Sequence, residues 1–242
     1  MRGPLGRPAE VTIARRYRGP THSGNGGYVC GIVASAVVGP VEVTLHAPPP
    51  LDTPLHLLPT DSGAKLVHGN VEIATARGGI VDISPPPAFS IHDAEIAGAR
   101  YVGFDCHPYP ECFVCGTQRT VGDGLRIFPG ATGDKAIVAA VWIPAAQDAD
   151  MDGHVAREVV WAALDCPGYF GLMSPGLPAL PGRMSADIFQ RPKANEPCVV
   201  VGWRLGQEGR KHFAASAIYS DSGAVLGVAV STWIELRRGN SV

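Results

Sequence analysis

Val159-Val160-Trp161-Ala162-Ala163-Leu164-Asp165-Cys166 sets one carboxylate among apolar side chains. The apolar run predicts a helix entering a core, and a carboxylate placed there loses hydration and needs partners or a task. The first half carries a similar segment, Gly26-Gly27-Tyr28-Val29-Cys30-Gly31-Ile32-Val33-Ala34-Ser35-Ala36-Val37, with Ala34 where the acid would fall. Two similar units, one with an acid and one without, predict a single asymmetric site.

Working outward, residues 11–17 read as a first strand and residues 22–27 as a loop of small and polar side chains. The buried helix then runs to Val38 and is stopped by Gly39-Pro40. Strands are expected over 41–46, 54–58 and 65–76. The second half repeats the order, with strands over 124–128 and 135–143, a polar loop over 145–153 and a helix over 155–170. After the Pro-rich residues 174–182 come long strands over 183–190, 198–205, 211–219 and 224–236, with a hairpin turn at Tyr219-Ser220-Asp221-Ser222-Gly223-Ala224. Pro49 and Pro54 stand five apart before one strand, as Pro192 and Pro197 do before another. These parallels point to an internal repeat, with residues 84–92 beginning the linker between a unit over 1–95 and a unit over 96–242.

The 242 residues suffice for one large domain or two fused smaller ones, and an apolar content of 45% allows a substantial core. A net charge of −2 gives no electrostatic argument for nucleic acid or an anionic membrane. The basic cluster Arg15-Arg16-Tyr17-Arg18 reads as a solvated strand edge. No apolar run approaches the roughly 18 residues of a membrane span, and the N-terminus lacks a signal-peptide core, so the reading is cytoplasmic. The cysteines at 30, 106, 112, 115, 166 and 198 are dispersed apart from one cluster, and reduced thiols are expected.

A buried helix followed by an antiparallel sheet that wraps it is the pattern of the hotdog fold, and three passages carry a resemblance to its thioesterase superfamily. Ser23-Gly24-Asn25-Gly26-Gly27-Tyr28-Val29-Cys30-Gly31 is similar to the family's small-residue approach to its central helix. Cys112-Phe113-Val114-Cys115-Gly116, with Gly124-Leu125 after it, resembles the Cys-Phe-x-Cys-Gly…Gly-Leu stretch of many bacterial thioesterase-like proteins. Leu45-His46-Ala47-Pro48-Pro49-Pro50-Leu51 looks like the second strand of acyl-CoA thioesterases. The resemblance spans most of the chain and implies an α+β double hotdog, two fused units each with a central helix wrapped by an antiparallel β-sheet. It also implies hydrolysis of acyl-CoA or related thioesters.

That chemistry needs donors for the oxyanion and a carboxylate that activates water or attacks. Asn25-Gly26-Gly27 at a helix start suits the first need, because the first amides of a helix are unpaired and glycine permits close approach. The expected donors are the Gly26 or Gly27 N–H, with Asn25 and His22 as side-chain helpers. In the family the acid lies about two turns into the helix of the opposite unit, which here selects Asp165, since the first unit has Ala34. The second helix start, His154-Val155-Ala156-Arg157, lacks glycines, so the halves complement each other. A purely structural reading of Asp165, capping a turn before Cys166-Pro167-Gly168, stands beside the catalytic one. Trp161, Tyr169 and Phe170 read as core residues that can also line an acyl tunnel.

Cys106-His107…Cys112-x-x-Cys115 has the residue types of a zinc site. Adjacent Cys106 and His107 ligate together awkwardly, however, and no second Cys-x-x-Cys or His pair is present. The expectation is therefore no metal and no cofactor, an acyl thioester as the small-molecule partner, no nucleic acid, no membrane, and a homodimer that covers sheet edges. A non-catalytic acyl-CoA-binding or regulatory hotdog, or a hotdog dehydratase or hydratase, are the alternatives.

Overall fold

The computed structural model describes residues 8–133, 136–172, 174 and 176–237. Asn25 starts the first helix: its side chain accepts the Tyr28 N–H at 2.9 Å, which satisfies one of the amides left open at a helix start. Helix α1 covers Gly26–Ala34 and all but one of its residues are buried, as expected for an element wrapped on every side. It ends earlier than the apolar run suggests. Tight turns carry residues 35–37, and Gly39 at φ +81° then redirects the chain into Pro40.

The strands around α1 are β1 (Ala9–Thr12), β2 (Val41–Leu45), β3 (Pro54–Thr60), β4 (Gly63–His68) and β5 (Val71–Gly78). The single strand expected over 65–76 is thus a hairpin, broken where Gly69 adopts φ +57°. The strand expected over 11–17 stops at Thr12, and a 3-10 turn follows at Arg15–Tyr17. The basic cluster is not a solvated strand edge. Arg15 binds Asp52, half-buried Arg16 binds buried Asp148 at 2.8 Å, and Arg18 binds Glu111.

Residues 79–90 lead into α2 (Ile91–Gly98), which the sequence reading missed. Ser90 accepts the Asp93 N–H and so caps it, and the helix packs on β7 (Ile137–Trp142) and β6 (Gly130–Ala131). The expected start of β7 at Lys135 lies outside the described residues, as does Pro175 of the Pro-rich stretch. Residues 124–128 form no sheet strand. Their amides turn inward instead, Leu125 N–H to the Phe113 carbonyl and Ile127 N–H to that of Val114. Fully buried Phe113 meets Tyr17 and Tyr28 edge-on, so this irregular stretch belongs to the core.

Helix α3 covers Arg157–Gly171, continuing past Pro167, and is followed by β8 (Ala179–Ile188), β9 (Cys198–Glu208), β10 (Lys211–Ser220) and β11 (Val225–Glu235). The eleven strands of the described residues form one antiparallel sheet in the order β1-β3-β4-β5-β2-β8-β11-β10-β9-β7-β6. The order repeats: a strand before the helix lies outermost, and the first strand after the helix lies at the junction. There β2 pairs with β8, Val43 facing Met184. The sheet wraps α1 on one half and α3 on the other, and the two helices pack directly on each other. No helix among the described residues is long and apolar enough to cross a membrane.

Gly27 and Gly31, one turn apart, make that helix pair close. A Cβ on Gly31 would stand 2.4 Å from the Glu158 Cα, and one on Gly27 would stand 2.7 Å from the Trp161 carbonyl oxygen. Gly31→Ala is expected to cost about 1–3 kcal/mol through overpacking, read by urea denaturation. Gly206→Ala, which meets no atom within 4 Å, should leave stability unchanged or raise it by up to about 1 kcal/mol.

Candidate active site

Asp165 lies inside α3 rather than at its end, and only 2% of it is exposed. The turn-capping reading therefore does not describe its place. Its Oδ2 accepts the Gly27 backbone N–H at 3.0 Å and the Asn25 Nδ2–H at 3.1 Å, so both donors come from the start of α1. Its Oδ1 is buried and has no hydrogen-bond partner among the described residues. Burial is the main influence on its acidity, opposed by the Gly27 hydrogen bond, and the carboxyl pKa is pushed up to about 7. A carboxylate of that basicity is suited to moving protons near neutral pH.

The structure gathers Asp165, Asn25 and Gly26 at one cavity, lined further by Tyr169, Phe170 and Pro181, with Gly27 bound to Asp165 just behind that lining. Trp161 is fully buried in the core and does not line it. His22 is exposed and is likewise absent from the lining, because the chain turns it outward before the helix begins. Gly27 differs from its expected part: its N–H already binds the carboxylate. Of the first amides of α1, Tyr28 N–H is taken by Asn25 and Val29 N–H by the Asn25 carbonyl, which leaves the Gly26 N–H uncommitted among the described residues. The space beside Gly26 is narrow, since an added Cβ would meet Pro181 Cγ at 2.4 Å.

A second group borders the same cavity. Cys112, Cys115 and Cys166 bring their sulfurs within 4.8 Å of one another, and His107 Nε2 lies 3.3 Å from Cys115 Sγ. Hydrogen bonds from the Cys115 and Cys166 thiols hold Cys112 well below the ordinary thiol range. Burial pushes Cys115 up, and the contact with Cys112 pushes Cys166 up. Cys106, counted with this cluster in the sequence, is exposed and outside it. Cys166 was missed as a member because about fifty residues separate it from Cys115; its position beside Asp165 was the available signal.

No family model and no curated protein matches the sequence. Solved structures do resemble the chain. A candidate thioesterase from Novosphingobium aromaticivorans superposes with a TM-score of 0.62 at 13% identity, covering 97% of this chain and 100% of its own. An acyl-CoA thioesterase II from Mycobacterium marinum gives 0.60 at 11% identity, covering 96% of this chain and 94% of its own. A hot dog fold protein of unknown function from Alicyclobacillus acidocaldarius gives 0.59 at 13% identity with the same coverages. Nearly the whole chain therefore has the α+β hotdog architecture of these solved structures.

Proposed function

We propose that the protein hydrolyses acyl-CoA or related acyl thioesters at one asymmetric site between two fused hotdog units, the first ending near residue 95. The observation that carries this reading is the buried Asp165 carboxylate, with Oδ2 fixed by Gly27 and Asn25 and Oδ1 without a partner among the described residues. One oxygen is held in place by the opposite half, and the other is free to take a proton from water or to attack the thioester carbonyl. The Gly26 N–H, at the positive end of α1, serves the developing oxyanion. Tyr169, Phe170 and Pro181 receive the acyl group. The reaction draws on no cofactor. We further read the chain as a cytoplasmic protein that pairs with a second copy through an outer strand of its sheet.

One observation favours a binding-only reading: Asp165 occupies the Gly27 N–H, which leaves a single uncommitted first-turn amide for the oxyanion. The two readings separate in one experiment, thiol release from a panel of acyl-CoA thioesters. Turnover by the native protein, lost by a factor of about 100 or more in Asp165→Asn, is the expected result. Asparagine can still accept both hydrogen bonds, so the variant should fold, as circular dichroism would verify. Tight binding without turnover on any substrate would put the binding-only reading ahead, and turnover that survives the substitution would discard the site.

Asn25→Asp offers an independent check. It keeps the cap to Tyr28 yet replaces the donor to Asp165 with a like charge. Two buried carboxylates so close cannot both ionise, so the melting temperature should fall, and kcat per folded molecule should fall by up to about 10²-fold, the scale of a misplaced reacting group.

A further inference from the structure

The cysteine cluster stands outside the hydrolytic scheme, and its geometry is that of a ligand set. Cys112 Sγ and Cys166 Sγ lie 3.7 Å apart. Sulfurs bound to one tetrahedral ion at about 2.3 Å from the metal stand about 3.8 Å from each other, while a disulfide would need about 2.05 Å. The third sulfur, Cys115, completes a triangle with every edge within 4.8 Å.

The backbone is built around these sulfurs. Cys112-Phe113-Val114-Cys115-Gly116 closes a turn through Gly116 N–H to the Cys112 carbonyl at 2.9 Å, and the Val114 and Cys115 amides face the Cys112 sulfur. Only glycine fits after the second cysteine, since a Cβ there would stand 2.5 Å from the Cys112 carbonyl oxygen and 2.6 Å from its nitrogen. Side-chain donors add to this. His107 Nδ1 accepts the Tyr109 N–H at 2.9 Å, so the neutral ring carries its proton on Nε2 and aims it at Cys115 Sγ. Asn25 Nδ2, besides binding Asp165, lies 3.9 Å from Cys112 Sγ. Donors aimed at ligating sulfur are what orients and stabilises thiolates in metal sites.

The lining suits a cation: neither lysine nor arginine borders this cavity among the described residues, and the three sulfurs face one another in near-complete burial.

We propose that Cys112, Cys115 and Cys166 bind a thiophilic divalent ion of the zinc class, with His107 and Asn25 as outer hydrogen-bond donors. Three metal–sulfur bonds form as the thiols give up their protons to solvent, and the fourth position faces the cavity shared with Asp165. The ion pins the irregular chain around Cys112 to α3, one residue from the carboxylate. This inference stands apart from the thioesterase reading, because ion binding is measured without turnover.

The test begins with elemental analysis of the full chain purified under reducing conditions without chelator. Roughly one zinc per chain is expected. After chelation and reloading with cobalt(II), the native protein should show the intense visible bands and near-ultraviolet thiolate-to-cobalt absorption of a tetrahedral thiolate site. Cys166→Ser and Cys112→Ser should each remove the zinc and the ultraviolet absorption, while exposed Cys106→Ser keeps both. Should the serine variants misfold, alkylation of the native chain decides: three cysteines protected with ion and reactive once it is chelated are expected. A reduced native chain that retains no zinc and develops no cobalt–thiolate band would overturn the proposal. A Cys112–Cys166 disulfide in freshly purified protein, or full metal retention by Cys166→Ser, would overturn it equally.

Discussion

A carboxylate from one half of the molecule is held by the helix start of the other, in a place where it is almost fully buried. Oδ2 of Asp165 takes two hydrogen bonds, from Gly27 and Asn25, and much of the surrounding structure follows from keeping those three residues in register. A buried carboxylate is costly without such donors, and the open amides at a helix N-terminus are the cheapest source of them. The contact exists only because α1 lies against α3 with no side chain between them at Gly27 and Gly31. A sheet that is continuous through the β2–β8 pairing in turn holds the two helices in place.

Asn25 joins these features. Its Oδ1 caps α1 through Tyr28, while its Nδ2 reaches Asp165 and lies near the Cys112 sulfur. The residue thereby couples helix stability, carboxylate orientation and the sulfur cluster. The aromatic packing of Tyr17, Tyr28 and Phe113 then ties the Cys112 turn to the same helix start, with Tyr17 and Tyr28 stacked at 4.0 Å. A disturbance anywhere in this set is transmitted to the others because dense interiors leave no slack.

Much of the candidate site was legible from single residues. An acid in an apolar helix, glycines at the start of a related one, and the absence of an acid at Ala34 pointed to Asp165, Asn25, Gly26 and Gly27, which the fold brings together. His22 and Gly27 show where that reasoning stops. Chain proximity to a helix start suggested His22 as a donor, but side-chain direction is a three-dimensional property, and it points to solvent. Gly27 was expected to face substrate; it faces the carboxylate instead, since the helix pair lies closer than sequence spacing can express.

The order of helices and long strands was written in apolar periodicity and in Gly-Pro punctuation, since both are local consequences of backbone sterics and burial. Residues 124–128 and the helix Ile91–Gly98 were not, because their states depend on partners far along the chain: the turn at Cys112 for one, β7 for the other. The same holds for the cysteines. Sequence alone displayed a Cys-x-x-Cys pair beside Cys106 and His107, two adjacent residues that ligate together awkwardly. Only the tertiary structure brings Cys166 beside that pair, since side-chain clusters are assembled by packing between distant segments, which no local pattern encodes.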